Sequence, residues 1–169
     1  MTSEVDMLKE KIQSDMKEAM KSGDANKRMV LSLLQSAIKN KELEKRAKFS
    51  KAGSEANKLE ELSRMSDEEV MDVILSESKK RKESIESYEK GGRDELAKKE
   101  KDELAILMEY LPEQMSEDEI RLEAKKAIEG TKAKDIKEMG KVLGALMPKV
   151  KYRTDSQTVS RIVKEELSI

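Results

Sequence analysis

A basic segment near the end of the chain has the residue types and the spacing of a phosphate-binding surface. From residue 130 to residue 164 there are nine Lys or Arg and three Asp or Glu, so the segment carries +6 (nine minus three) in a chain of net charge −1. Clustered cations attract the phosphates of a nucleic acid, and this attraction supplies most of the non-specific affinity of a protein for nucleic acid. A solvated face with no ligand is the alternative. The candidate contacts are Lys141, Lys149, Lys151 and Arg153.

Two glycines stand beside these cations at a helical spacing. Gly140 and Gly144 are four residues apart, in a run whose apolar residues recur at helical intervals. A glycine inside a helix costs about 1 kcal/mol relative to alanine, and a pair at this spacing leaves one face of the helix flat. A flat face lets a second backbone approach, and that backbone could belong to an RNA strand or to a partner helix.

The surrounding residues predict a helix, a basic turn and a last helix. Asp135 is expected to cap the first of these helices, and Pro148, which has no N–H, is expected to end it. The three cations after Pro148 would then lie in a short connection. Asp155 is expected to cap the last helix, whose apolar stripe consists of Val159, Ile162, Val163 and Leu167.

Composition predicts an all-α fold with two helical subdomains. Charged residues make up 42% of the chain and aromatic residues 2%, so the residue types that strands prefer are scarce. A four-helix region is expected over residues 1–112, with residues 47–65 as a mobile insertion. A three-helix bundle is expected over residues 113–169.

Capping and turn residues set the expected limits of the other helices. Ser66 with Glu69, and Ser116 with Glu119, have the pattern of capping boxes. The helix that starts after Ser116 is expected to end at Gly130. The other expected helices are 3–22, capped by Ser3 and with Val5 on its stripe; 25–46, with Leu43 on its buried stripe; 66–90; and 94–111, capped by Asp94 and closed by Pro112.

Arg81 lies on the apolar stripe of the expected helix 66–90, four residues after Glu77. This spacing predicts a partly buried Arg–Glu pair that orients the packing. The alternative is an arginine that binds an anion.

The lack of histidine and cysteine excludes several classes of chemistry. A Ser–His–Asp triad, a Cys–His nucleophile and a zinc site built on Cys and His are impossible. There is no Walker-type phosphate loop, and the Gly140/Gly144 pair does not follow a predicted strand, so it is not a dinucleotide fingerprint. We therefore expect no catalytic residue, cofactor or metal. Without a signal peptide or a membrane-crossing apolar run, the expected location is the cytoplasm.

Several segments of the chain together have the pattern of one known family. They are residues 31–45, Arg81-Lys82-Glu83-Ser84-Ile85-Glu86, Tyr88, Gly92-Arg93, Tyr110-Leu111-Pro112-Glu113-Gln114, Gly140-Lys141-Val142, Gly144, Pro148-Lys149-Val150-Lys151, Arg153, Asp155 and Val159. These segments resemble the GatB/YqeY family: YqeY-like proteins and, more weakly, the tail domain of the B subunit of the tRNA-dependent amidotransferase. Tyr152 departs from the family pattern, which usually has glycine there, as does Thr154, where the family has alanine.

The resemblance implies an accessory protein that binds tRNA or a complex that processes aminoacyl-tRNA. It also implies a family-level link to glutamine-dependent tRNA amidation, a carbon–nitrogen ligase reaction with glutamine as amido donor, although independent catalysis is not expected. With few aromatic residues, recognition would be of RNA shape. A protein-interaction module that docks a partner helix on Gly140 and Gly144 is the alternative, and no DNA or membrane partner is expected. The expected contacts are Gly140, Lys141, Gly144, Lys149, Lys151, Tyr152 and Arg153, with Arg81 and Arg93 as secondary candidates.

Overall fold

The computed structural model describes residues 7–168, and in this part of the chain it contains eight α-helices and no strand. The predicted all-α fold is confirmed. The predicted cap Ser3 and the stripe residue Val5 lie outside the described residues. The helices are α1 (Met7–Ser22), α2 (Ala25–Lys51), α3 (Leu59–Ser63), α4 (Asp67–Lys90), α5 (Asp94–Met108), α6 (Glu117–Thr131), α7 (Met139–Val150) and α8 (Ser156–Leu167).

The helices divide into two compact units, Met1–Tyr110 and Leu111–Ile169. The first unit holds α1 to α5, and the second holds α6, α7 and α8. The boundary between the units lies two residues before the predicted one at Pro112. That the units are separate domains stays a prediction. None of the helices within residues 7–168 combines the length and the apolarity that a membrane crossing needs.

In the first unit α2 is the central helix, because it packs against α1, α3, α4 and α5. Its buried residues are Val30, Leu31, Leu34 and Ile38. The prediction that Leu43 continues this stripe is wrong, since 52% of Leu43 is exposed. Five residues separate it from Ile38, which rotates its side chain by about 140° around the helix.

The stretch 47–65 is more regular than expected. Residues 47–51 continue α2, and α3 brings Leu59 into the core, with Met65 buried shortly after it. The irregular parts that remain are therefore residues 52–58 and 64–65. Their mobility stays a prediction.

Both predicted capping boxes are confirmed. The hydroxyl of Ser66 accepts a 3.2 Å hydrogen bond from the amide of Glu69, whose carboxylate accepts one of 2.8 Å from the amide of Ser66. Ser116 and Glu119 repeat this arrangement at the start of α6. Because each box satisfies two amides that the helix leaves without partners, it fixes the helix start from local sequence alone.

Other predicted helix limits are also wrong, since α5 ends at Met108 and not at residue 111. Asp94 is the first residue of α5, and Arg93 occupies the cap position without a side-chain bond. Helix α6 passes through Gly130 and ends at Thr131, where Lys132 takes the left-handed conformation with φ 56°. The amide of Lys132 bonds the carbonyl of Glu129, so a lysine closes the helix where glycine is usual.

The second unit is a three-helix arrangement around one apolar core. On its surface, Arg121 of α6 pairs with Glu165 at 2.7 Å and with Glu166, and Arg161 of α8 pairs with Glu117 and, at 2.8 Å, with Glu165. These ion pairs engage the acids along the contact between α6 and α8. The buried core residues are Ile120, Ala124, Ala127, Ala133, Val142, Leu146, Val150, Val159, Ile162 and Val163.

Candidate nucleic-acid interface

Helix α7 buries one face and exposes the opposite one. Val142, Leu146 and Val150 face the core, and none of them is more than 1% exposed. The two lysines are the only long side chains on the outward face, so that face is low in relief and positively charged. The exposed residues on the outward face of α7 are Gly140, Lys141, Gly144, Ala145, Pro148 and Lys149.

The two glycines leave open space outside the helix. A Cβ atom added to Gly140 or to Gly144 would meet no heavy atom within 4 Å. The pair therefore does not serve packing within the unit, and a second backbone has room to lie against this face.

The prediction that Pro148 ends the helix is wrong, because α7 continues to Val150. Proline in the last turn removes one backbone hydrogen bond, the one to the carbonyl four residues earlier. Val150 lies four residues after Leu146 and is 1% exposed, so one more turn of helix completes the buried stripe. As a consequence Lys149 lies on the helix and not in the connection.

The turn after α7 contains an unusual backbone conformation. Tyr152 has φ 69° and is only 6% exposed. A bulky residue at positive φ is an outlier, and glycine is the residue that this conformation favours. The ammonium group of Lys151 lies 4.5 Å from the centroid of the Tyr152 ring.

Three hydrogen bonds hold this turn against the segment that precedes α6. The amide of Met115 donates to the carbonyl of Arg153 at 2.8 Å, and Nε of Arg153 donates to the carbonyl of Glu113 at 3.0 Å. Nε2 of Gln114 donates to the carbonyl of Tyr152 at 2.9 Å and to that of Pro112 at 2.8 Å. Sequence reasoning missed this role of residues 113–115. The only signal was that Glu113 and Gln114 belong to a segment that carries the family resemblance.

Residues 139–153 include four cations and no acid. Within residues 7–168, no carboxylate comes within ion-pair distance of Lys141 or Lys149. A hydrogen bond from Lys126 lowers the pKa of Glu123, with a smaller contribution from the charge of Lys149. Lys141, Lys149 and Lys151 are all exposed, and Arg153 is half-buried.

Arg81 and Arg93, the two secondary candidates for RNA or partner contacts, belong to the first unit. Arg81 is in a partly buried Arg–Glu pair as predicted, but the predicted partner Glu77 is wrong, because Glu77 pairs with Lys80. The partners of Arg81 are Glu103 and, at 3.0 Å, Glu100, both on α5. Arg93 is exposed.

A family model described as Yqey-like protein matches residues 9–167, which is nearly the whole chain. This chain is a member of the YqeY-like protein family. The resemblance to YqeY-like proteins is thereby confirmed. No curated protein matches the chain. Among the described residues of this family member, no group of three or more acidic side chains is arranged to hold a metal ion.

Proposed function

We propose that this protein binds tRNA through the outward face of α7 and the basic turn 151–153. The observation that carries the proposal is the charge of residues 139–153, where four cations occur without an acid and three of the four are exposed. Phosphate groups would neutralise these cations and release counterions. Three acids of α6 and α8, Glu117, Glu165 and Glu166, support this assignment, because they already pair with Arg121 or Arg161 and not with the lysines of α7.

Recognition would rest on the shape of the RNA backbone. Tyr152 is the only aromatic residue of the segment, and its ring is buried, so the turn offers no exposed ring on which a base could stack. The open face at Gly140 and Gly144 would let the RNA backbone lie close to the helix. Lysines on both sides of this face would then contact phosphates. Such contacts fix the position of the RNA on the protein but do not recognise its base sequence.

The resemblance to the amidotransferase tail domain is the reason for choosing tRNA among RNAs. In this proposal the protein is a cytoplasmic accessory factor in glutamine-dependent amidation of aminoacyl-tRNA, and it acts with a complex that processes aminoacyl-tRNA. The carbon–nitrogen ligase chemistry, with glutamine as amido donor, would belong to that complex. No residue of this chain is assigned a catalytic role.

Mobility shift with total tRNA tests the proposal in a triple variant, Lys141→Ala, Lys149→Ala and Lys151→Ala. Arg153 is left intact because its side chain holds the turn against Glu113. The matched control is Lys79→Ala, Lys82→Ala and Lys98→Ala, which removes three exposed lysines that pair with no carboxylate in the described part of the chain. The triple variant should bind tRNA at least ten-fold more weakly than the control. Equal affinities would overturn this choice of site.

A second candidate function is the docking of a partner helix on the same glycine face. The favouring observation is the open space beside Gly140 and Gly144, which small residues at this spacing would offer to another helix. Leucine at both positions should then abolish capture of a protein partner after nuclease treatment. If leucine leaves protein capture intact but weakens tRNA binding, the partner-helix function is wrong.

A further inference from the structure

Helix α2 carries a second stripe of residues on the side away from its core. The stripe advances by alternating steps of four and three residues, and all of its members are exposed. Its largest apolar members are Leu33, Leu43 and Met29, with exposed fractions of 54%, 52% and 38%. The stripe consists of Met29, Leu33, Ser36, Asn40, Leu43, Ala47 and Ser50.

The core of the first unit does not account for this stripe. The buried residues of α2 are Val30, Leu31, Leu34 and Ile38, which are no more than 2% exposed. These core residues lie on the opposite side of the helix from the stripe. Helix α2 therefore has a buried core face and a second face with exposed apolar side chains, which the described residues of the same copy do not cover.

A repeat of this kind, on average 3.5 residues, is the spacing of the contact seam of a two-stranded coiled coil. In heptad terms Leu33, Asn40 and Ala47 take the first core position, and Met29, Ser36 and Leu43 take the second. A single asparagine at the first core position is a known device for fixing register and the number of strands, because the two amides pair across the seam. Asn40 occupies that position here.

We propose that two copies of this chain associate through the α2 seam as a parallel, in-register pair. The flanking charges favour this arrangement. In a parallel pair Lys39 faces Glu44 of the second copy, and the symmetric contact forms as well. An antiparallel pair that matched Leu33 with Leu43 of the second copy would instead bring the two Lys39 side chains together near the symmetry axis.

Within one copy each of these two exposed charges has one neighbour of opposite sign. Lys39 lies 3.7 Å from Glu42, and Glu44 lies 2.8 Å from Lys41. The Lys41–Glu44 pair is exposed and contributes little to stability. Glu42 is only 12% exposed but also pairs with Lys9, so it keeps a partner when Lys39 turns to the second copy. One heptad further on, Arg46 would face Lys51 of the second copy. These two cations repel each other, so the contact is expected to end near Ala47.

The size of the seam sets the strength of the association. The seam from Met29 to Ala47 covers 19 residues of α2 and is about 28 Å long, so with a contact strip about 10 Å wide each copy would bury roughly 300 Å². The total of roughly 600 Å² lies below the size of a permanent interface. The dimer should therefore be reversible, with a dissociation constant between about 1 μM and 1 mM.

Sedimentation equilibrium of the whole protein, over that range of concentration, tests the pairing. Leu33→Glu should leave only monomer, and Asn40→Leu should tighten association at least ten-fold. The matched control is Leu122→Glu, because Leu122 of α6 is 55% exposed, almost the same fraction as Leu33; it should associate like the natural chain. A natural chain that stays monomeric throughout, or equal loss in both glutamate variants, overturns the proposal.

Oxidative cross-linking tests the direction of the pair. The natural chain has no cysteine, so a single introduced thiol is a clean probe. Ala47→Cys should form a disulfide-linked dimer, because the two positions face each other in a parallel seam. Lys48→Cys, one residue away and outside the seam, should cross-link far less. Dimerisation without an Ala47→Cys cross-link would overturn the parallel arrangement.

Discussion

The carbonyl of Tyr152 accepts a 2.9 Å hydrogen bond from Nε2 of Gln114. This bond joins the residue at positive φ in the basic turn to the segment that leads into α6. A residue outside the turn therefore stabilises it, and Tyr152 keeps a backbone conformation that favours glycine. The position of the cations on either side of Tyr152 depends on this contact.

Two substitutions separate the backbone strain at Tyr152 from the burial of its ring. Tyr152→Ala and Tyr152→Gly both remove the buried ring and should each lower the unfolding free energy, by about 3–5 kcal/mol for alanine. Glycine tolerates φ 69° and alanine does not. The glycine variant should therefore be about 1 kcal/mol more stable than the alanine variant in urea unfolding. If alanine is as stable as glycine, the positive φ is not a source of strain.

Gly144→Ala should raise stability by about 0.5–1 kcal/mol, because alanine is the better helix former and the added methyl group meets nothing within 4 Å. Thermal unfolding measures the gain. Gly92→Ala is the control: there is open space at Gly92 as well, but its φ is +65°, so alanine should lower stability. A loss of stability in Gly144→Ala would mean that the outward face of α7 is covered.

Arg81→Ala should lower the unfolding free energy by about 3–5 kcal/mol, because it leaves a buried carboxylate without its main partner. That carboxylate is Glu103, which is 4% exposed. Lys80→Ala is the control, since Lys80 pairs with Glu77 at the surface, and it should change stability by less than about 1 kcal/mol. Equal effects in urea unfolding would contradict a structural role for Arg81.

Acid should weaken the start of α6. Hydrogen bonds from the backbone and the hydroxyl of Ser116 lower the pKa of Glu119 in the folded protein below its ordinary value of 4.5. A lowered pKa means that the contribution to stability is full above pH 4.5 and is lost as pH falls through the folded pKa. Glu119→Gln can keep the capping geometry but cannot titrate. Its stability should thus fall less steeply below pH 4.5 than that of the natural chain, and parallel curves would contradict the assignment.

Local signals in the sequence predicted the parts of the fold that depend on neighbouring residues. The boxes at Ser66 and Ser116 form within one helical turn, so their spacing alone is sufficient. The stripe of α8 was predicted for the same reason, and Val159, Ile162 and Val163 are fully buried. The basic character of residues 139–153 is a property of composition and needs no structure.

The remaining features depend on contacts between distant residues. The partner of Arg81 is set by how α4 packs along α5. The spacing of Arg81 and Glu77 within one helix gives no information about Glu103 on the neighbouring helix. Pro148 stays helical because Val150 fills the core of the second unit, which outweighs one missing hydrogen bond. The contact between Gln114 and Tyr152 spans 38 residues and leaves no local pattern.

The salt dependence of tRNA binding tests the central claim most directly. The logarithm of the association constant is measured against the logarithm of salt concentration for the natural chain, the Lys141/Lys149/Lys151 alanine variant and the Lys79/Lys82/Lys98 alanine control. If each of the first three lysines contacts a phosphate, the slope becomes shallower by about 0.7–0.9 for each one lost, or roughly two to three units in all. The control should keep the slope of the natural chain. An α7 variant with the affinity and slope of the natural chain would contradict an RNA-binding role for this surface.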